Sequence, residues 1–391
     1  MNMPTQAEPD ASATHLPVLD GLRGLAILLV LASHCGSGLF GARSLYTNTD
    51  GWPHSFDLPR WADLIISMGY HGVTLFFVVS AFTLTRQATR GGQSPLWDYG
   101  LRRVMRIGPG FWVAAIVYAI LIGVGSRLSA PNGLTAADYI AGATFTGWLA
   151  SAAAVEIVPG GWSVQDEVIF YTILPLLAWA IQGRWWRSIA FTIPAIIVVQ
   201  ATARYAMVHG NWTYNSYAAP FSQLPVFLLG MTAAYVMPYG TRIRRQARFV
   251  ALLCLGGGIF AVPFSPVLQW SLLAHLQFAG LAAAATFCAA WNPPRLLVSA
   301  LLVRLGTLSY SMYLFHFLLL WPMYSVASRF VPGNSIATLT AYFLLVTAGS
   351  VAVSMFTYRW VEQPPRRWMA ARLRARQHAR QDAVVPQIAV H

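Results

Sequence analysis

The sequence contains no lysine, and it has little charge of either sign. Only 10% of its 391 residues are charged, against about 25% in soluble domains. That shortage, with apolar residues arriving in long unbroken runs, excludes a large water-soluble core. Cysteine is also scarce. Cys35, Cys254 and Cys288 are odd in number, lie in apolar segments and lack metal-ligand spacing, so they are packing residues rather than a disulfide framework or a zinc module. The opening MNMPTQAEPDASATH has acids but no basic region, so no cleavable signal peptide is expected and the first apolar segment should stay as an anchor. No internal repeat and no soluble domain is visible.

What is present is hydrophobic and arginine-rich. Fifty-six per cent of the residues are hydrophobic, and the net charge of +13 rests entirely on arginine. The arginines do not form one basic face, so nucleic acid is not an expected partner. They fall in alternate loops, as membrane topology requires. Ten spans are expected, over 17–37, 64–85, 108–125, 167–183, 186–203, 218–238, 248–264, 269–290, 305–327 and 336–360. With the N-terminus in the cytoplasm, most arginines lie in the inner loops and tail. Only Arg43, Arg60, Arg127, Arg204 and Arg329 lie outside. The expectation is an all-α polytopic membrane protein with both termini cytoplasmic. It would comprise a short segment 1–16, a transmembrane domain 17–365 and a basic cytoplasmic tail 366–391. The tail, RRWMAARLRARQHARQ onward, is expected to lie against anionic lipid headgroups.

The two longest connections, 38–63 and 126–166, are then external. They hold Asp50, Trp52, Asp57, Trp61, Asp63, Trp148 and Glu156. Trp with carboxylate suits a sugar-facing surface, and it equally suits an interfacial aromatic belt with solvated acids. Segment 136–154 is apolar but interrupted and rich in small residues, so it is expected to be re-entrant or interfacial.

Ionisable residues inside a membrane are costly and usually mark function. In LDGLRGLAILLVLASHCGS, Arg23 and His34 share one apolar segment. Eleven steps at the helical rise separate them by roughly 16 Å, and eleven is close to three turns, so they share a face. By depth, His34, His71, Glu167 and His316 form a mid-to-outer polar layer. Arg23, Arg103, Arg106 and Glu362 form an inner one. Asp20 is expected to cap the first helix. His71 and His316 have an alternative role as helix–helix hydrogen-bond donors, and Trp162 and Tyr171 as interfacial aromatics.

Two polar layers suit a two-substrate reaction across a membrane. An anionic, phosphate-rich donor would dock on the inner arginines, because guanidinium binds phosphate bidentately. Acyl-CoA fits, with its phosphates inside and its thioester carried upward. A hydroxyl acceptor would arrive from outside and lose its proton to His34, whose imidazole a neighbouring carboxylate would orient.

These residues sit in motifs that resemble the bacterial acyltransferase 3 family of integral-membrane O-acyltransferases. LDGLRGLAILLVLASH is similar to that family's first helix, with Arg-x10-His at Arg23 and His34. GVTLFFVVSAF from Gly72, LRRVMRIGPGFW from Leu101, GWSVQDEVIFY from Gly161, LGTLSYSMYLFHF from Leu305 and YRWVEQPPRRW from Tyr358 resemble its later motifs in order, over about residues 15–368. The resemblance implies ten core helices, an acyl-CoA donor (acetyl-CoA by default), no bound cofactor and no metal. It also implies a carbohydrate or glycolipid acceptor such as O-antigen or exopolysaccharide, and a place in the bacterial inner membrane. By it, His34 is catalytic with Glu167, and Arg23, Arg103 and Arg106 bind the donor. His71, His316, Trp162, Tyr171 and Asp166 are supporting residues. Two positions depart from the pattern. Ala81 stands where the family usually has Gly, and Asp166 precedes Glu167 where Glu is common. Some family members append an extracytoplasmic hydrolase-like domain. None is visible here, so a separate extracytoplasmic transferase is one expectation and direct transfer the other. A small-molecule acceptor is the alternative within the enzyme class. The rival class is a transporter or flippase for a glycan or anion, disfavoured because no repeat with broken helices is visible.

Overall fold

Once water is absent, every backbone N–H and C=O must be satisfied within the chain, and a helix does this within one segment. The computed structural model describes residues 16–36, 56–90, 95–125, 130, 132–151, 153–209, 217–261 and 272–384. It is 87% helical, with no strands among the described residues. The long helices are α1 (Pro17–Gly36), α2 (Gly72–Arg90), α3 (Leu96–Leu121), α4 (Gly161–Ile181), α5 (Trp185–Val208), α6 (Pro220–Val236), α7 (Ala247–Gly256), α8 (Leu272–Trp291), α9 (Ala300–Phe330), α10 (Ile336–Thr357) and α11 (Gln363–Val384).

Seven helical stretches among the described residues are long and apolar enough to cross a membrane: Pro17–Gly36, Arg60–Thr89, Leu96–Leu121, Gly161–Ile181, Trp185–Ala206, Pro220–Arg242 and Ile336–Arg376. Helices α7, α8 and α9 lie over the other three expected spans. Large apolar side chains such as Ile120, Leu176, Trp179 and Ile197 are exposed on the outer faces. Apolar surface on this scale is unusual for a soluble monomer and is what lipid covers. The chain is a multi-pass membrane protein. Expected residues Arg43, Asp50, Trp52 and Arg127 lie outside the described residues.

Small residues set the closest approaches. A Cβ on Gly24 would stand 2.1 Å from the Leu302 carbonyl oxygen, and one on Gly306 would stand 1.8 Å from that of Asp20. Helices α1 and α9 therefore meet backbone to backbone toward their N-terminal ends, the usual device where no hydrophobic effect drives helix association. Ala81 is fully buried, and the glycine that makes room for it is Gly230 on α6, whose added Cβ would lie 2.9 Å from the Ala81 Cβ. The small residue is on the facing helix.

Three expectations need correction. The third span was expected to begin at Gly108, yet α3 starts at Leu96 and runs through Pro109. The carbonyls in the turn next to that proline find side-chain donors: Tyr310 Oη donates to Ile107 O at 2.6 Å, and Arg366 Nη2 to Arg106 O at 3.4 Å. Asp20 does not cap α1. The helix begins at Pro17, and Asp20 sits in its first turn facing Arg23, Oδ1 to Nη1 3.4 Å. The basic tail is not held by headgroups alone. Helix α11 packs along α3, and Arg376 Nη1 meets Asp98 Oδ1 at 2.7 Å.

Segment 136–154 is interrupted as expected, with helices Ala136–Ala143 and Gly147–Ala150 and a 3-10 turn Ala154–Glu156. Thr135 and Asp138 close a reciprocal capping box at its start. Gln165 on α4 pins the far end, accepting from Gly147 N at 3.0 Å and donating to Ala154 O at 3.1 Å. Hydrogen bonds from the Ser151 hydroxyl, then from Thr135, hold the Asp138 carboxyl below its ordinary value.

Candidate active site

The first functional cluster is a histidine pair carried by the two helices that glycine brings together. His34 lies in the last turn of α1, and His316 lies fully buried on α9. Their rings stack at 5.0 Å with 13° between planes, and His34 Nδ1 stands 2.9 Å from His316 Nε2. His316 Nδ1 lies 2.7 Å from Tyr313 O and 3.2 Å from Met312 O. A carbonyl only accepts, so Nδ1 of His316 carries the proton. In a neutral ring its Nε2 is then a lone pair, and His34 Nδ1–H must donate to it. His34 Nε2 is left unprotonated. The tautomers are assigned by this network of distances. Phe317 covers the pair, 4.7 Å from the His34 ring centroid.

The expected partner of His34 was a carboxylate, with Glu167 in the same outer layer. The structure corrects both points. Glu167 Oε1 accepts from Ser80 Oγ at 2.7 Å and from Tyr171 Oη at 2.5 Å, one turn along α4. It lies within electrostatic reach of Arg23 and Arg106. Glu167 therefore belongs with the inner arginines. The sequence placed it by counting from an assumed start at residue 167, whereas α4 begins at Gly161. That start is built locally. Gly160 takes φ +71°, a left-handed conformation suited to glycine, and its carbonyl accepts from Ser163 Oγ and Tyr313 Oη, both at 3.0 Å.

The second cluster is thus Arg23, Arg106, Glu167 and Tyr171, with Asp20 on one flank and Glu362 on the other. Arg103 stands at its edge. It donates to Gln87 Oε1 at 3.1 Å, and its guanidinium lies over the rings of Tyr99 and Tyr171 at 5.2 and 5.5 Å. Glu362 pairs with Arg366 at 2.6 Å and accepts from Ser311 Oγ. A groove of about 690 Å³ between α3 and α4 adjoins Arg103 and Tyr171, bordered by exposed Leu176 and Trp179. Asp20, Glu167 and Glu362 bring three carboxylates to this cluster, and with Arg103 and Arg366 its guanidinium groups number four. Tyr171 contributes a hydrogen bond to it, beyond any role as an interfacial ring.

The remaining supporting residues form neither cluster. Trp162 packs edge-on against Tyr217 and Phe77, at 5.9 and 6.2 Å. His71 stacks on Phe278 at 4.9 Å and faces His275 at 5.8 Å. Asp166 is buried on a different side of α4 from Glu167, beside Trp148. The two adjacent acids therefore cannot share one role, because neighbouring positions on a helix point about 100° apart. Sequence reasoning missed Ser80 and His275. Ser80 lies inside the quoted run GVTLFFVVSAF, where it and Thr74 are the two hydroxyls among apolar residues. His275 lies near the start of the eighth expected span, as an ionisable residue in lipid.

Comparison with known proteins gives one strong match. The family description "Acyltransferase domain" (Acyl_transf_3) covers residues 16–359, nearly the whole chain. No curated protein and no solved structure matches. A chain of membrane-crossing helices with this family match along almost its full length belongs to the acyltransferase 3 family.

Proposed function

We propose that this membrane acyltransferase is an O-acyltransferase. It would move an acyl group, by default acetyl, from cytoplasmic acyl-CoA to a hydroxyl of a surface glycan or glycolipid at the bacterial inner membrane. The observation that carries the reading is the hydrogen-bond chain from the Tyr313 carbonyl through His316 to His34. It aims an unprotonated Nε2 away from the pair and leaves it free to accept a proton. In this reading, His34 Nε2 takes the proton of the acceptor hydroxyl as its oxygen attacks the thioester carbonyl. The carbon–sulfur bond breaks, and the leaving thiolate collects that proton from the imidazolium. No net proton is released. His316 is a positioning residue that fixes the His34 tautomer and accepts from the imidazolium's second N–H.

Arg23, Arg106 and Arg103 bind the donor's anionic groups in this scheme, and Glu167 with Tyr171 and Ser80 holds the guanidinium groups in place. Mass spectrometry of surface glycans tests it, comparing a deletion strain with strains complemented by wild type or by His34→Ala. Loss of an acetyl-sized mass on deletion, restored only by wild type, is expected. Full acetylation with His34→Ala at normal membrane abundance would sink the mechanism.

A further inference from the structure

The second histidine pair leaves three buried ring nitrogens without a partner, where the first leaves one nitrogen open. His71 is 1% exposed, and neither of its ring nitrogens has a hydrogen-bond partner. His275, also 1% exposed, uses Nδ1 on Thr74 Oγ1 at 3.1 Å and leaves Nε2 without one. Buried polar groups in folded proteins are nearly always paired, so each such group calls for a cause. Here they gather in one place, between α2, α4 and α8, ringed by Tyr70, Tyr217, Trp162 and Phe278.

The chemistry of the unpaired atoms describes their partner. A neutral imidazole offers one donor and one acceptor. No arginine is bonded to the cluster among the described residues. An anion would need donors alone, so the mixture suits uncharged hydroxyls, each of which both donates and accepts. Aromatic edges beside them suit the C–H faces of a sugar ring. A strip of contacts joins this place to the catalytic pair. The Tyr313 ring lies 5.8 Å from that of His316, and its hydroxyl accepts from Ser163 Oγ at 2.9 Å. Ser163 adjoins Trp162, which packs on Tyr217, and Tyr217 packs on His275 at 5.1 Å.

Resting on the reading that a hydroxyl is acylated at His34, we propose that His71 and His275, walled by Tyr217 and Trp162, form the seat of an uncharged polyhydroxyl acceptor. The seat is separate from the arginine cluster, and its His71, His275 and Tyr217 members lie outside the six motifs. His71→Phe keeps the stack on Phe278 and Tyr70 while removing both nitrogens. Replacing an unsatisfied polar group with an apolar one of similar shape is tolerated or stabilising, so this variant should fold.

The test uses the purified full chain in detergent with acetyl-CoA, following thiol release with and without methyl glycosides of glucose, galactose and N-acetylglucosamine. In His71→Phe and His275→Phe, KM for the glycoside should rise tenfold or more. KM for acetyl-CoA and the glycoside-independent hydrolysis should stay within twofold. An unchanged glycoside KM overturns the proposal, as does a parallel fall of both rates or failure of both variants to fold. If wild type hydrolyses acetyl-CoA but ignores every glycoside, the seat is wrong while the donor chemistry stands. If wild type releases no thiol under any condition, the proposed function falls, and the seat with it.

Discussion

Two histidine pairs occupy this molecule, and their hydrogen bonding is opposite in character. In His34–His316 every ring nitrogen but one is committed, and the chain ends on a backbone carbonyl that cannot change its role. In His71–His275 three ring nitrogens are uncommitted. A fully specified network holds one atom ready, which is what a proton-transferring group requires. An underspecified one carries unmet binding capacity, which is costly in a low-dielectric interior unless something arrives to use it. Similar residues in similarly dry surroundings are therefore suited to different tasks by what their second nitrogens touch.

The contrast can be broken by substitution. The largest effect is expected from His34→Ala, which should lower thioester cleavage by about 10²- to 10⁴-fold, the usual worth of a positioned general base. His71→Ala should leave acceptor-independent cleavage near wild type. A thiol-release assay on both variants settles whether the pairs differ in kind. A smaller effect separates positioning from packing at His316. His316→Gln can still accept from His34 Nδ1–H, and His316→Phe cannot. The Gln variant should retain several times the kcat of the Phe variant at equal donor KM, and equal activities would remove His316 from the mechanism.

Stability effects come next. Gly24→Val places a branched side chain against the Leu302 carbonyl. Overpacking of this kind costs about 1–3 kcal/mol, and it should reduce activity along with the melting temperature because the same contact spaces the histidines. Unchanged melting would mean that α1 and α9 can part freely. Arg376→Ala removes a half-exposed ion pair with Asp98 and should cost at most ~1 kcal/mol, less in high salt. The smallest effect concerns Asp138, whose carboxyl is held below its ordinary value by Ser151 and Thr135. Its contribution is fully present above the unfolded value of ~3.9. It is lost as pH falls through the lowered folded value. Hydrogen exchange over Ala136–Ala143 should therefore rise in wild type below that value and be insensitive there in Asp138→Asn.

Much of this was legible in the sequence because lipid punishes exceptions. The apolar runs and the placing of Arg23 and His34 on one helix follow from spacing and the cost of charge, whereas the arginine-rich stretch before Pro109 reads as a loop and is helix. What was not legible depends on rotation between helices. Glu167 and Asp166 are adjacent in sequence, and only packing decides which one meets the arginines. His316 could be a helix–helix donor, yet the ring geometry makes it the acceptor of the His34 N–H, with its own N–H spent on the Tyr313 carbonyl of the same helix. His275 and Ser80 stand out on their own segments only as polar residues among apolar ones, and their partners come from other helices. The register of α4, set seven residues before Glu167 by Gly160 at φ +71°, moved that acid from one layer to the other.

The glycine seam has a mechanical consequence. Where Gly24 and Gly306 press against opposing carbonyls, α1 and α9 have no side chains to slide over, so that point acts as a pivot. The histidines sit farther along the same two arms. Any scissoring of the helices about the pivot changes the His34–His316 separation, while the arginine end stays nearly still. A small angle at the seam becomes a larger displacement at the rings, so the pair is a natural gauge of whether the outer half of the bundle is open or closed.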